Sequence, residues 1–160
     1  MVTEGDLRHL RRCVELATEA FEAGNTPYGS LLVSADGAVL HEERNATGGG
    51  DRTRHPEFAV ARWAAENLSP KERATATVYT SGEHCPMCAA AHALVGLGRI
   101  VFAASKPQVT QWRAEWGAPA GPVAPLRITD VIVDADVDGP APELTEVLRD
   151  LHHRAHLRDN

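Results

Sequence analysis

Glu83-His84-Cys85-Pro86-Met87-Cys88 is the stretch from which the rest of the chain can be read. Proline is tolerated in the first turn of a helix, where no backbone N–H is needed, so Pro86 predicts a helix opening between the two cysteines. Their sulfurs then face one point beside free amides and the positive end of a helix dipole. That setting favours thiolate over thiol and suits a soft or borderline metal.

Thirty residues upstream of Cys85 stands Arg54-His55-Pro56-Glu57, again with a proline poised to open a helix. One imidazole and two thiolates make three protein ligands, His55, Cys85 and Cys88, and a tetrahedral zinc with three protein ligands keeps a fourth position for water. Glu57, two residues after the histidine, can stand beside that water as a proton shuttle without binding the metal. The competing arrangement is a closed structural site with four protein ligands, for which His84 and His92 are the candidates. That arrangement gives Glu57 no role.

The pair of motifs, H-x-E followed by C-x-x-C, resembles the cytidine deaminase-like superfamily, and within it the branch of nucleobase and tRNA-adenosine deaminases. The resemblance runs over nearly the whole chain. It implies an α/β fold, a three-layer α-β-α sandwich on a mixed five-stranded sheet, one Zn2+ per chain and a homodimer. Pro27-Tyr28-Gly29 before an apolar strand resembles the family's approach to its active site, and Asn45 matches its substrate-binding asparagine, so Tyr28 and Asn45 are expected at the substrate. Two departures stand out. His84 occupies a position where proline is usual, and Pro56 replaces a small residue whose amide commonly faces a substrate polar atom. Lacking that N–H, the chain is expected to turn over cytosine poorly. Glu83 and His84, flanking the first cysteine, join Pro56 among the candidate substrate contacts.

Length and composition fit this reading. The 160 residues suit one zinc-dependent deaminase domain, with 43% hydrophobic and 24% charged residues, ordinary values for a folded chain. The charged stretch Met1 to Arg12 lacks the apolar core of a signal peptide, and no apolar run approaches a membrane span. Two of the three cysteines belong to the motif, which argues against a disulfide framework and for the cytoplasm. Cys13 reads as a small buried hydrophobe. Net charge is −6 and the sixteen Lys and Arg are scattered, which disfavours nucleic acid as a partner; the small aminated heterocycle expected instead is what the resemblance implies.

Thr3 with Asp6 reads as a capping box, followed by apolar residues at helical spacing from Leu7 to Phe21 and a stop at Gly24. Tyr28–Ser34 and Ala38–Arg44 read as a hairpin about Asp36-Gly37. The Gly-rich loop 46–54 delivers His55, and a helix from Pro56 to about Asn67 ends at Ser69-Pro70. A third strand over 75–80 leads to the metal loop, and a helix from Pro86 to Leu97 stops at Gly98. Strands are expected over 100–104 and 127–133, a short helix or ordered loop over 106–116, and a last helix over 142–157 with Leu144, Val147, Leu148 and Leu151 on one face. His152, His153 and His156 read as solvated.

Specificity is expected after the fourth strand, where Gln108, Gln111, Trp112, Glu115 and Trp116 gather. One tryptophan could stack on a base while Glu115 binds an exocyclic amine. The function expected is hydrolytic deamination of a free nucleobase or related heterocycle of guanine, cytosine or aminotriazine type. The alternatives are a tRNA adenosine deaminase, a free nucleoside deaminase, or a noncatalytic zinc-stabilised partner subunit.

Overall fold

A computed structural model describes residues 1–160. Its helices are α1 (Glu4–Glu22), α2 (Pro56–Asn67), α3 (Pro70–Thr75), α4 (Pro86–Leu94), α5 (Lys106–Glu115), α6 (Ile128–Val131) and α7 (Thr145–Arg158). The strands are β1 (Gly29–Val33), β2 (Val39–Arg44), β3 (Thr77–Gly82), β4 (Ile100–Ala104) and β5 (Val137–Asp138). They form one sheet in the order β2-β1-β3-β4-β5, antiparallel across the β2-β1-β3 pairs and parallel from β3 to β5. This is the mixed five-stranded α/β sheet expected. None of the helices is long and apolar enough to cross a membrane.

Alternation along the strands divides the interior. Leu31, Val33, Tyr79, Val101 and Ala103 point to the face covered by α1, α5 and α7, where Leu10, Val109, Trp112 and Leu148 meet them. Leu32 and Val78 point to the opposite face, under Val60, Ala61 and Ala64 of α2. The capping box at Thr3 and Asp6 forms as read, and Asp6 does more. Its buried carboxylate also accepts from Tyr79 Oη at 2.8 Å and from Arg99 at 2.9 and 3.0 Å, tying the start of α1 to β3 and to the residue before β4.

Several boundaries differ from expectation. Residues 127–133 are not a strand: Asp130 caps the Arg127 amide at 2.8 Å, and Ile128 is driven into a small cluster with Ile100 and Phe102, so the segment coils as α6. The fifth strand is the shorter Val137–Asp138. Ser69-Pro70 starts a helix, α3, because Ser69 and Glu72 form a second capping box. Helix α4 ends earlier than read, since Gly96 takes the left-handed conformation at φ 73°. Gly98 is needed for close approach instead, a Cβ there falling 2.5 Å from the Ala74 carbonyl oxygen. On α7, Leu148 and Leu151 are buried, and so is Leu144 in the 3-10 turn before it, whereas Val147 faces solvent. His152 is buried too, 8% exposed, and not solvated as its sequence neighbourhood suggests.

Candidate active site

Two helix N-termini meet above the α2-side face of the sheet. His55 caps α2 with Pro56 following, and Cys85 caps α4 with Pro86 following, so both prolines open helices as read. His55 Nδ1, Cys85 Sγ and Cys88 Sγ are mutually 3.5 Å apart. A tetrahedral zinc with bonds of about 2.3 Å to sulfur and 2.0 Å to nitrogen separates its ligands by roughly 3.5–3.8 Å, so the three atoms fit one ion without rearrangement. No fourth His, Cys, Asp or Glu completes the cluster. His84 and His92 lie outside it, their rings edge to face at 5.5 Å, with His92 Nε2 donating to the Gly98 carbonyl oxygen at 2.8 Å. The closed four-ligand arrangement is therefore not formed.

The environment prepares the sulfurs for metal. The hydrogen bond between the two sulfurs, with help from His55, outweighs burial and holds the Cys85 thiol down to about 4. The shared proton and burial raise Cys88 correspondingly.

Glu57 is 5% exposed, and its Oε2 lies 3.8 Å from Cys88 Sγ. Its other oxygen, Oε1, accepts a hydrogen bond from Thr80 Oγ1 at 2.7 Å, and Thr80 in turn accepts from Ser30 Oγ at 3.0 Å. Burial raises the Glu57 carboxyl above its ordinary range, opposed by the Thr80 bond. A carboxyl so placed can take and return a proton. Thr80 and Ser30 were not legible as site residues. They face Glu57 only because β1 and β3 pair in the register Ser30↔Thr80, on the same face as Leu32 and Val78.

Tyr28 and Asn45 sit together at the ends of β1 and β2, joined by the Asn45 amide donating to the Tyr28 carbonyl at 2.9 Å. The Asn45 side-chain oxygen accepts from the amide and hydroxyl of Thr47 at 3.0 and 2.7 Å, which fixes the group and leaves its NH2 without a partner in the chain. Burial, followed by the charge of Glu57, raises the Tyr28 phenol, so it is neutral. Gly82 lets that ring lie against the end of β3, because a Cβ there would fall 2.6 Å from Tyr28 Cε1.

The remaining candidates are placed otherwise. The two Glu83 carboxylate oxygens accept the Lys106 amide at 2.7 Å and the Ile128 amide at 3.0 Å, so this residue braces α5 and α6 rather than facing a ligand. His84 is 1% exposed, inside the fold. Trp112 is core, packed with α1 and α7. Glu115 is exposed and bonded to Arg149 at 2.8 Å and Gln111 at 2.9 Å, and Trp116 packs on His153 with ring centroids 4.8 Å apart. Trp112 thus lies in the core and Trp116 at its edge. Pro56 is buried at the first turn of α2, beside the ligand set. His152 was missed: its ring lies 4.9 Å from Tyr28, placed there by a helix whose burial only tertiary packing decides.

Comparison with known proteins agrees with this geometry. Guanine deaminase of Bacillus subtilis (strain 168) is 34% identical over 140 residues, 85% of this chain and 79% of that protein. The tRNA(Ile)-lysidine synthase of Deinococcus radiodurans is 35% identical over 94 residues, 58% of this chain, but the chain spans only 16% of that protein's length. Cytosine and tRNA-specific adenosine deaminases also match. Guanine deaminase from Nitrosomonas europaea shares the fold, with a TM-score of 0.71 at 16% identity over 98% of this chain and 86% of that one. The family model of the cytidine and deoxycytidylate deaminase zinc-binding region matches residues 3–104, which carry all three metal ligands and Glu57. The chain belongs to the cytidine and deoxycytidylate deaminase zinc-binding family.

Proposed function

We propose that this chain is a hydrolytic deaminase of a nucleobase or related aminated N-heterocycle, with guanine the first candidate, and that its 160 residues act as one deaminase domain in a cytoplasmic homodimer. The observation that carries the reading is the buried Glu57 carboxylate, fixed by Thr80 beside a three-ligand cluster that protein does not close.

His55, Cys85 and Cys88 would hold the zinc, which would supply Lewis acidity and lower the pKa of a water to about 7. Glu57 accepts a proton from the attacking water and delivers it to a ring nitrogen, then takes the hydroxyl proton of the adduct and delivers it to the departing amine. Thr80 holds Oε1, leaving Oε2 to do this. Asn45, its oxygen engaged by Thr47, presents its NH2 as a donor suited to a ring carbonyl or nitrogen. The neutral, half-buried Tyr28 phenol supplies a flat wall. Pro56 has no N–H to offer the ring, so a cytosine carbonyl loses one donor.

Guanine is placed first because the guanine deaminase relative matches across most of both chains. The test is ammonia release by zinc-loaded protein across guanine, cytosine, adenine, their nucleosides, aminotriazines and a tRNA anticodon stem. We expect turnover of a free purine base, lost by about 10²–10⁴-fold in Glu57→Gln with zinc content unchanged. Turnover of RNA alone contradicts the reading, and turnover of cytosine as fast as the best purine contradicts the role given to Pro56. Light scattering decides the dimer.

A further inference from the structure

Helix α5 and the metal loop leave the sheet side by side. Strands β3 and β4 run parallel with Gly82 opposite Ala104, and the Glu83 amide donates to the Ala104 carbonyl at 2.8 Å. Lys106, the first residue of α5, gives its own amide to the Glu83 carboxylate at 2.7 Å, and Glu83 stands two residues before the metal ligand Cys85. Ligands of open α/β sheets gather outside the carboxyl ends of parallel strands, and this bond pins Lys106 there.

The mechanism above leaves the Lys106 side chain unused. It is half-buried, and its ammonium has no hydrogen-bond or ion-pair partner in the chain. Its charge is felt on three sides. It opposes the rise that the bond to Cys85 imposes on the His55 imidazole, and, after burial, it adds to the lowering of His84 and of His152. Those histidines belong to the start of α2, the metal loop and α7, so the ammonium lies among them. A second, independent feature borders the same region: His152 is 8% exposed, its Nε2 has no hydrogen-bond partner, and its ring centroid lies 4.9 Å from that of Tyr28. After burial, the charges of Glu57 and, less strongly, Cys85 act on Tyr28, which places that ring beside the metal cluster.

We infer that Lys106 is a specificity residue of the ring site, its ammonium donating to the O6 and N7 edge of an oxopurine. An ammonium carries three donors and no acceptor, so only an electron-rich edge satisfies it. O6 with N7 is the pair of adjacent acceptors that basic side chains read on guanine. Adenine sets an amine donor where O6 stands, 2-aminopurine has only hydrogen there, and cytosine lacks the paired edge. The inference rests on the proposed function for where the ring lies, and it deepens that reading by choosing among the bases.

The contact can be tested without turnover. Zinc-loaded Glu57→Gln protein is titrated with 2-aminopurine, whose fluorescence reports binding, and guanine and adenine are measured as competitors. We expect guanine to bind at least about tenfold tighter than 2-aminopurine, the worth of a hydrogen bond from a charged donor. Adding Lys106→Met, which keeps the stem and the backbone amide held by Glu83, should bring the two within about twofold while zinc content and melting temperature hold. Lys106→Arg, which keeps charge and donors, should retain most of the preference.

A preference that survives Lys106→Met overturns the inference, as does guanine binding no tighter than 2-aminopurine. An equal loss for all three bases overturns it too, because Lys106 would then act on the charge of the whole site and not on one edge of the ring. If guanine shows no preference while wild-type protein still releases ammonia from some free base, the inference falls and the deaminase reading stands. A Lys106-dependent preference beside a wild-type protein that releases ammonia from nothing would sink the deaminase reading and leave the contact standing.

Discussion

The hydroxyl of Thr80 is the group through which the sheet acts on the chemistry, because it orders one Glu57 oxygen and leaves the other free. Thr80→Val keeps the side chain's shape and removes the donor, so zinc content should be unchanged while kcat/KM falls by about tenfold, the worth of one hydrogen bond to a charged group. Thr80→Ser, which restores a hydroxyl, should recover most of the loss. If the valine variant is as active as wild type, Glu57 is oriented by something other than this bond. His55, Glu57, Cys85 and Cys88 were legible because few residue types do their work and the spacing of each motif is local. Thr80 was hidden, since a threonine in a β-rich run is ordinary and its direction depends on pairing with β1. Glu83 was misplaced for a related reason: nothing in the sequence shows that the amides of Lys106 and Ile128 will arrive to take both its oxygens.

At the scale of elements, α1, the hairpin, α2, β4 and α5 could be read from caps, turns and periodicity, because those signals are local. The segment 127–133 could not. Its alternation resembles a strand, and what coils it is the Asp130 cap together with the burial of Ile128 against β4. Helix α7 is the other case, and His152 gives it a measurable signature. Burial, then the charges of Arg113 and Lys106, depress the His152 imidazole to about 4, while Tyr28 and Trp112 pack beside it. In the unfolded chain its pKa is about 6.5, so between about 6.5 and 4 the unfolded state binds the proton and the folded state does not. Stability should therefore rise with pH across that window, and lowering pH from 7 to 5 should cost about 1–2 kcal/mol from this residue. Urea unfolding of wild type and His152→Phe at both values isolates the contribution, and the variant should lose less on acidification. Equal losses would mean that His152 titrates in the folded protein as it does in water.

For the whole molecule, the question is what the metal contributes beyond chemistry. Its ligands come from two helices whose first turns lie thirty residues apart in the chain, and a zinc held by them would link the two over one face of the sheet. In small zinc-finger domains such a link supplies the folding energy itself. Here the two large apolar clusters, one built on Leu10, Leu31 and Leu148 and the other on Leu32, Val60 and Val78, contain none of the metal ligands. The fold should therefore survive loss of zinc, with its stability lowered by the binding free energy. A ligand at a thousand times its Kd stabilises by about 4 kcal/mol, and a domain of this size shifts by about 2–4 °C per kcal/mol. Stripping the protein with a strong chelator should thus lower the melting temperature by roughly 10 °C, abolish ammonia release, and leave the far-ultraviolet circular dichroism at 25 °C intact. Readdition of zinc should reverse all the losses. The Cys85→Ser, Cys88→Ser double variant should melt near the chelated protein and ignore the chelator, which separates loss of the link from any effect of the reagent. Collapse of the dichroism signal at 25 °C would instead mean that the sheet and its two cores cannot hold α2 and α4 in place, and that the metal decides the fold as well as the reaction.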